Sequence, residues 1–134
     1  LVVGLVLLFM RWNDYREKDL VEVLDVEEIV EFRYLDGTEE HVPLEFNGIV
    51  KDQESLQELM NFFSQYTVKK NKKRQDSSEY PDEFFAFQIN YSDDRPSIPS
   101  WFERDLLFFN GNYYTITNRP MDHVWLKNYF EVQN

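Results

Sequence analysis

Apolar and polar positions follow several different periods along this chain, and each period predicts a different element. Residues 1–10, LVVGLVLLFM, have no polar period: nine apolar side chains and one glycine. As a helix, ten residues span about 15 Å, half of a hydrocarbon core of roughly 30 Å. The run is therefore expected to be the C-terminal part of a transmembrane anchor, Leu1, Val2, Val3, Leu5, Val6, Leu7, Leu8, Phe9 and Met10, with Trp12 at the interface. Position 1 is Leu rather than Met, which fits a chain that starts inside a longer product. A secretion signal would need a small-residue cleavage site, and FMRWND offers none. A buried strand or helix is the structural alternative.

Beyond the apolar run, NDYREKDLVEVLDVEE is dense in charge and reads as a helix or a tether. Val30, Phe32 and Tyr34 then alternate with Ile29, Glu31 and Arg33, the period of a strand. Asp36-Gly37 predicts a hairpin turn, because both central residues of a type I′ turn need positive φ. Pro43 is expected to end or edge the return strand. Asp52 is a candidate N-cap, and Leu56, Leu59, Met60 and Phe63 recur at helical spacing behind it. KKNKKRQDSSEYPDE has no period and reads as a polar loop. Phe85, Phe87, Ile89 and Tyr91 alternate as a strand, SDDRPSIPSWFE reads as a proline-punctuated loop, and LLFFNGNYYTIT predicts a second hairpin around Asn110-Gly111. Met121, Val124, Trp125, Asn128, Tyr129 and Val132 would share one face of a short final helix.

The fold class implied is α+β: a mostly antiparallel sheet of about five strands, two hairpins plus one strand, covered by one or two helices and preceded by the apolar segment. The chain divides into 1–12 (anchor), 13–26 (charged tether or helix) and 27–134 (one α+β domain). Composition supports this order. Phe, Tyr and Trp favour strands and dominate burial, and the sole alanine, Ala86, means that helices must rely on packing rather than propensity.

Charge and chemistry narrow the function classes. A net charge of −11 opposes nucleic-acid binding, which needs a basic face. The absence of cysteine removes disulfides, thiolate metal sites and thiol nucleophiles. His41 and His123 are the only histidines, and no ligand spacing joins them. The four glycines form no phosphate-cradling loop. Asp93-Asp94 lacks the spaced ligands of a calcium loop, and Arg95 follows to neutralise the pair. Asn90-Tyr91-Ser92 matches a glycosylation triplet but falls inside a predicted strand. No catalytic residue, cofactor or metal is expected.

Two stretches remain as contact candidates. Lys69, Lys70, Lys72, Lys73 and Arg74 concentrate basic charge in an otherwise acidic chain, either as a solvated loop or as a patch for anionic lipid or an acidic partner. In RPSIPSWF, Arg95, Ile98, Trp101 and Phe102 would form a proline-stiffened contact, unless the two rings plug the core. The leading expectation is a non-enzymatic, membrane-tethered binding domain, an accessory, regulatory or immunity-type subunit for a protein or peptide partner. Arg11, Arg16 and Lys18 favour a cytoplasmic domain; an anchor followed by a compact acidic domain is the plan of an extracytoplasmic one, which is the expected location. A carboxylate-based hydrolase of cell-wall or surface polysaccharide is the alternative from another class, and a soluble interaction subunit whose first strand completes a sheet is a third.

Overall fold

The structure is a computed structural model that describes residues 2–36, 48–71, 80–96 and 99–133. Helix α1 (Val2–Tyr15) precedes β1 (Lys18–Asp19), α2 (Leu20–Leu24) and a 3-10 turn (Val26–Glu28). There follow β2 (Ile29–Asp36), β3 (Gly48–Val50), α3 (Gln53–Phe63), β4 (Thr67–Lys70) and a second 3-10 turn (Pro81–Glu83). Strands β5 (Phe84–Tyr91), β6 (Pro99–Glu103), β7 (Leu106–Phe109) and β8 (Asn112–Ile116) lead to α4 (His123–Gln133). The eight strands of the described residues form one sheet, ordered β1-β4-β8-β7-β6-β5-β2-β3, and every neighbouring pair is antiparallel. The α+β class stands, with eight strands among the described residues rather than about five.

Each added strand has a local reason. KK of the expected polar loop belongs to β4, where Val68 is buried and pairs with Ile116 of β8. The expected loop SDDRPSIPSWFE ends in β6; the second of its two prolines, Pro99, sits at the first position of the strand, where a missing N–H is tolerated. Part of the expected tether is core: Leu20 and Leu24 are fully buried, and Lys18 and Asp19 pair with Val68 and Thr67. Residues 18–24 of the expected tether thus pack with the body. Strand β2 pairs with Gly48–Val50, while the Asp36-Gly37 turn and the expected return strand, with His41 and Pro43, lie in part or wholly outside the described residues.

Side chains of the sheet's inner face meet α3 and α4. Phe32 stacks on Phe87 (centroids 5.3 Å apart) and on Phe130 of α4 (5.9 Å), and Phe87 stacks on Phe102 (4.8 Å). Leu56, Leu59, Met60 and Phe63 of α3 are buried as their spacing predicts, and the helix starts where the Asp52 carboxylate accepts from Ser55 N–H at 2.9 Å. Hydrogen bonding to Ser55, from its side chain first and its backbone N–H second, holds the Asp52 carboxyl below its usual pKa. The final helix is rotated from its expected face. Leu126, Tyr129 and Phe130 are buried, whereas Val124 and Val132 are exposed. Val30 also leaves the expected face, because a register shift between Ile29 and Glu31 interrupts the alternation and turns it to solvent. The second hairpin is as predicted: Phe109 faces Asn112 across a turn with Asn110 at φ 50° and Gly111 at φ 79°.

Candidate functional site

Tyr91, at the end of β5, carries its ring past the covered part of the inner face. Its hydroxyl donates to the Leu24 carbonyl at 2.6 Å, which fastens the strand end to α2. Burial pushes the Tyr91 phenol up to about 12; the nearby Arg95 acts in the opposite direction. Arg95 lies over that ring, with its guanidinium carbon 4.1 Å from the centroid, a cation–π geometry. The same guanidinium reaches Asp93 at 2.7 Å and Asp25 at 2.9 Å. Hydrogen bonds to these two carboxylates hold the arginine above its ordinary pKa, and the bond from Arg95 holds the Asp93 carboxyl below its own. Asp25 can take part because it caps α2 in the left-handed region, φ 54°, and so turns the chain towards Arg95. Asp tolerates that conformation better than most residues.

Beside this cluster is a cavity of about 230 Å³, lined by Val23 of α2, Ile89 and Tyr91 of β5, Arg95 and Pro96, and Phe109 and Asn110 at the β7–β8 turn. Its lining is mainly apolar, with Arg95 and Asn110 at the polar part. Such concave, largely apolar sites with a few converging polar groups are where ligands bind.

The expected contact residues separate. Arg95 lines the cavity; Trp101 lies on the opposite, outer face of the sheet, half-buried, with Phe84 at 5.8 Å, Phe108 at 6.0 Å and Tyr113 at 6.3 Å between ring centroids. Phe102 is 0% exposed and packs on Phe63 and Phe87, so it is a core residue and not a contact anchor. Neighbours in a strand point to opposite faces, which is why WF splits. Ile98 lies outside the described residues, as do Lys72, Lys73 and Arg74. Of the basic run, Lys69 is exposed on β4 and Lys70 places Nζ 5.5 Å from the ring centroid of Tyr15 in α1. His123 puts Nδ1 3.3 Å from Glu83 Oε1, while the other oxygen of that carboxylate, Oε2, pairs with Arg104 at 2.8 Å, a structural use of the residue.

Helix α1 is the other unusual surface. Its nine large apolar residues from Val2 to Trp12 are 50% to 74% exposed. They occupy every side of the helix, so no rotation about its axis would bury them against one neighbour. Among the described residues, no helix is long and apolar enough to cross a membrane. Sequence reasoning missed Val23, Ile89, Phe109 and Asn110 as a group, since only the sheet order brings them together. Among the described residues, no group of His, Cys, Asp or Glu has the arrangement of a metal site. No protein-family profile, curated protein or solved structure matches this chain.

Proposed function

We propose that this protein is a binding domain held at a membrane by α1, and that it serves a protein or peptide partner there as an accessory, regulatory or immunity-type subunit. The observation that carries the reading is α1. Apolar side chains exposed on all sides of a helix are stable in lipid and not in water. Trp12 lies against Phe9 (ring centroids 5.9 Å apart) at the end of the apolar stretch, where an interfacial ring is favoured, and the neighbouring Arg11 can reach the head groups. The cavity at Arg95 gives the domain a concave surface for a partner. The compact acidic body behind α1 is the basis for an extracytoplasmic location.

Flotation of the full chain with phosphatidylcholine–phosphatidylglycerol vesicles tests the tether. The chain is expected to float, and the Leu5→Glu/Leu8→Glu variant to stay in the dense fraction. A wild-type chain that stays behind would end this reading. The polysaccharide-hydrolase alternative draws no support from the described carboxylates whose titration is shifted: Asp52 and Asp93 are both lowered, opposite to a general acid.

A further inference from the structure

We propose that the cavity beside Arg95 receives one large apolar side chain from a basic segment of the partner. This deepens the binding reading above by giving the partner its chemistry, and it rests on that reading. Three observations carry it. The first is the lining. Val23, Ile89, Pro96 and Phe109 offer apolar walls around about 230 Å³, room for several waters at about 30 Å³ each that such walls hydrate poorly. Replacing them with an aliphatic or aromatic side chain is favourable.

The second is charge. The guanidinium in the wall is not available to an anion, because Asp93 and Asp25 already hold it at 2.7 and 2.9 Å. Next to Tyr91 in the chain, the Ser92 hydroxyl donates to the Glu28 carboxylate at 2.6 Å and Ser92 N–H to the Glu28 carbonyl at 2.8 Å, which adds a further carboxylate on this side of β5. Arg95, the one charged residue of the lining, is outnumbered by the two carboxylates that hold it, so the cluster beside the cavity is net negative; cationic residues flanking the inserted side chain are attracted and acidic ones repelled. The third is rigidity. Tyr91 is tied to Leu24, Arg95 is held at three points, and Phe109 and Asn110 belong to a tight turn, so little ordering remains to be done on binding.

The test uses the full chain, isotopically labelled, in neutral maltoside micelles. The probes are three capped pentapeptides: Lys-Lys-Phe-Lys-Lys, its alanine-centred analogue, and the analogue with glutamate for every lysine. The first is expected to shift the methyl resonances of Val23 and Ile89 and to bind about tenfold or more tightly than the alanine peptide; the glutamate peptide is expected to give no shift. Val23→Phe, which fills the cavity from its own wall, is expected to erase the preference for phenylalanine over alanine. If that variant melts lower, the three peptides on the unaltered chain still decide. Equal binding of the phenylalanine and alanine peptides, equal binding of the lysine and glutamate peptides, or no methyl shift overturns the assignment. Vesicle flotation separates the two levels: a chain that floats but ignores the peptides loses this site and keeps its tether, and the reverse result keeps the site.

Discussion

At Gly48 the ring of Tyr34 fills the space a side chain would need. A Cβ there would stand 2.0 Å from the ring, and the ring is not free to move, since it stacks on Phe130 at 3.8 Å and its hydroxyl donates to the Phe130 carbonyl. Gly48→Ala should therefore destabilise by about 1–3 kcal/mol, the range for forced overpacking, read as a lower urea midpoint at unchanged m. Tyr91 sets a second expectation. Its phenol is raised to about 12 in the folded chain and titrates near ~10 when unfolded. Burial of the neutral form thus contributes stability that is complete below pH ~10 and is lost as the pH rises through about 12. Tyr66 and Tyr129, also raised by burial, act in the same direction. Denaturation between pH 9 and 12 should show a falling midpoint, and Tyr91→Phe should flatten part of that fall.

Elements were legible in proportion to their length and periodicity. Helix α3 offers eleven residues with a capping Asp and four apolar positions at helical spacing, and β5 offers eight alternating ones, so both are evident in the sequence. Strand β4 has four residues with one buried side chain, Val68, between polar neighbours; its strand state comes from pairing with β8 and β1, not from its own pattern. Helix α2 has five residues, too few to show a period, and ends on an aspartate in the left-handed region where a glycine would have signalled the stop. The candidate site was hidden for a related reason. Arg95 stood out in the sequence, but residues 23, 89 and 109 meet it only because α2, β5 and β7 converge at one end of the sheet. The Asn110-Gly111 turn, by contrast, is written in its dipeptide. Gly111→Val forces a β-branched residue to φ 79° and should cost about 1–2 kcal/mol, measurable by chemical denaturation, while also disturbing the cavity wall at Asn110.

In the whole molecule, α1 and the body follow different rules. The body buries most of its large apolar residues beneath α3 and α4, and α1 exposes the nine from Val2 to Trp12. Substitutions on α1 should accordingly change where the chain goes without changing how stable it is. Leu5→Glu/Leu8→Glu should lose vesicle association while the thermal midpoint of the body stays within about 2 °C, because neither side chain belongs to the core. A large fall in the midpoint would mean that α1 is part of the folding unit.

The position of β1 has a mechanical consequence. It is an edge strand of two residues, joined to α1 through Arg16 and Glu17 on one side and directly to α2 on the other. A pull on α1 first strains the Tyr15–Lys70 contact and the 3.2 Å Arg16–Glu22 pair, then loads the pairs of Lys18 and Asp19 with Val68 and Thr67 and the 3.0 Å bond from Leu20 N–H to the Tyr66 carbonyl. The next resistance is the seating of Leu20 and Leu24 in the core, and yielding there carries Val23 off the cavity wall and the Leu24 carbonyl away from Tyr91. Residues 18–24 are in this sense a handle shared by the anchor and the binding site. By reciprocity, a side chain seated in the cavity should stiffen that handle, so the force needed to detach it by pulling on α1 should rise with the lysine–phenylalanine peptide present. Tension at the membrane and occupancy of the site then oppose each other through one short stretch of chain.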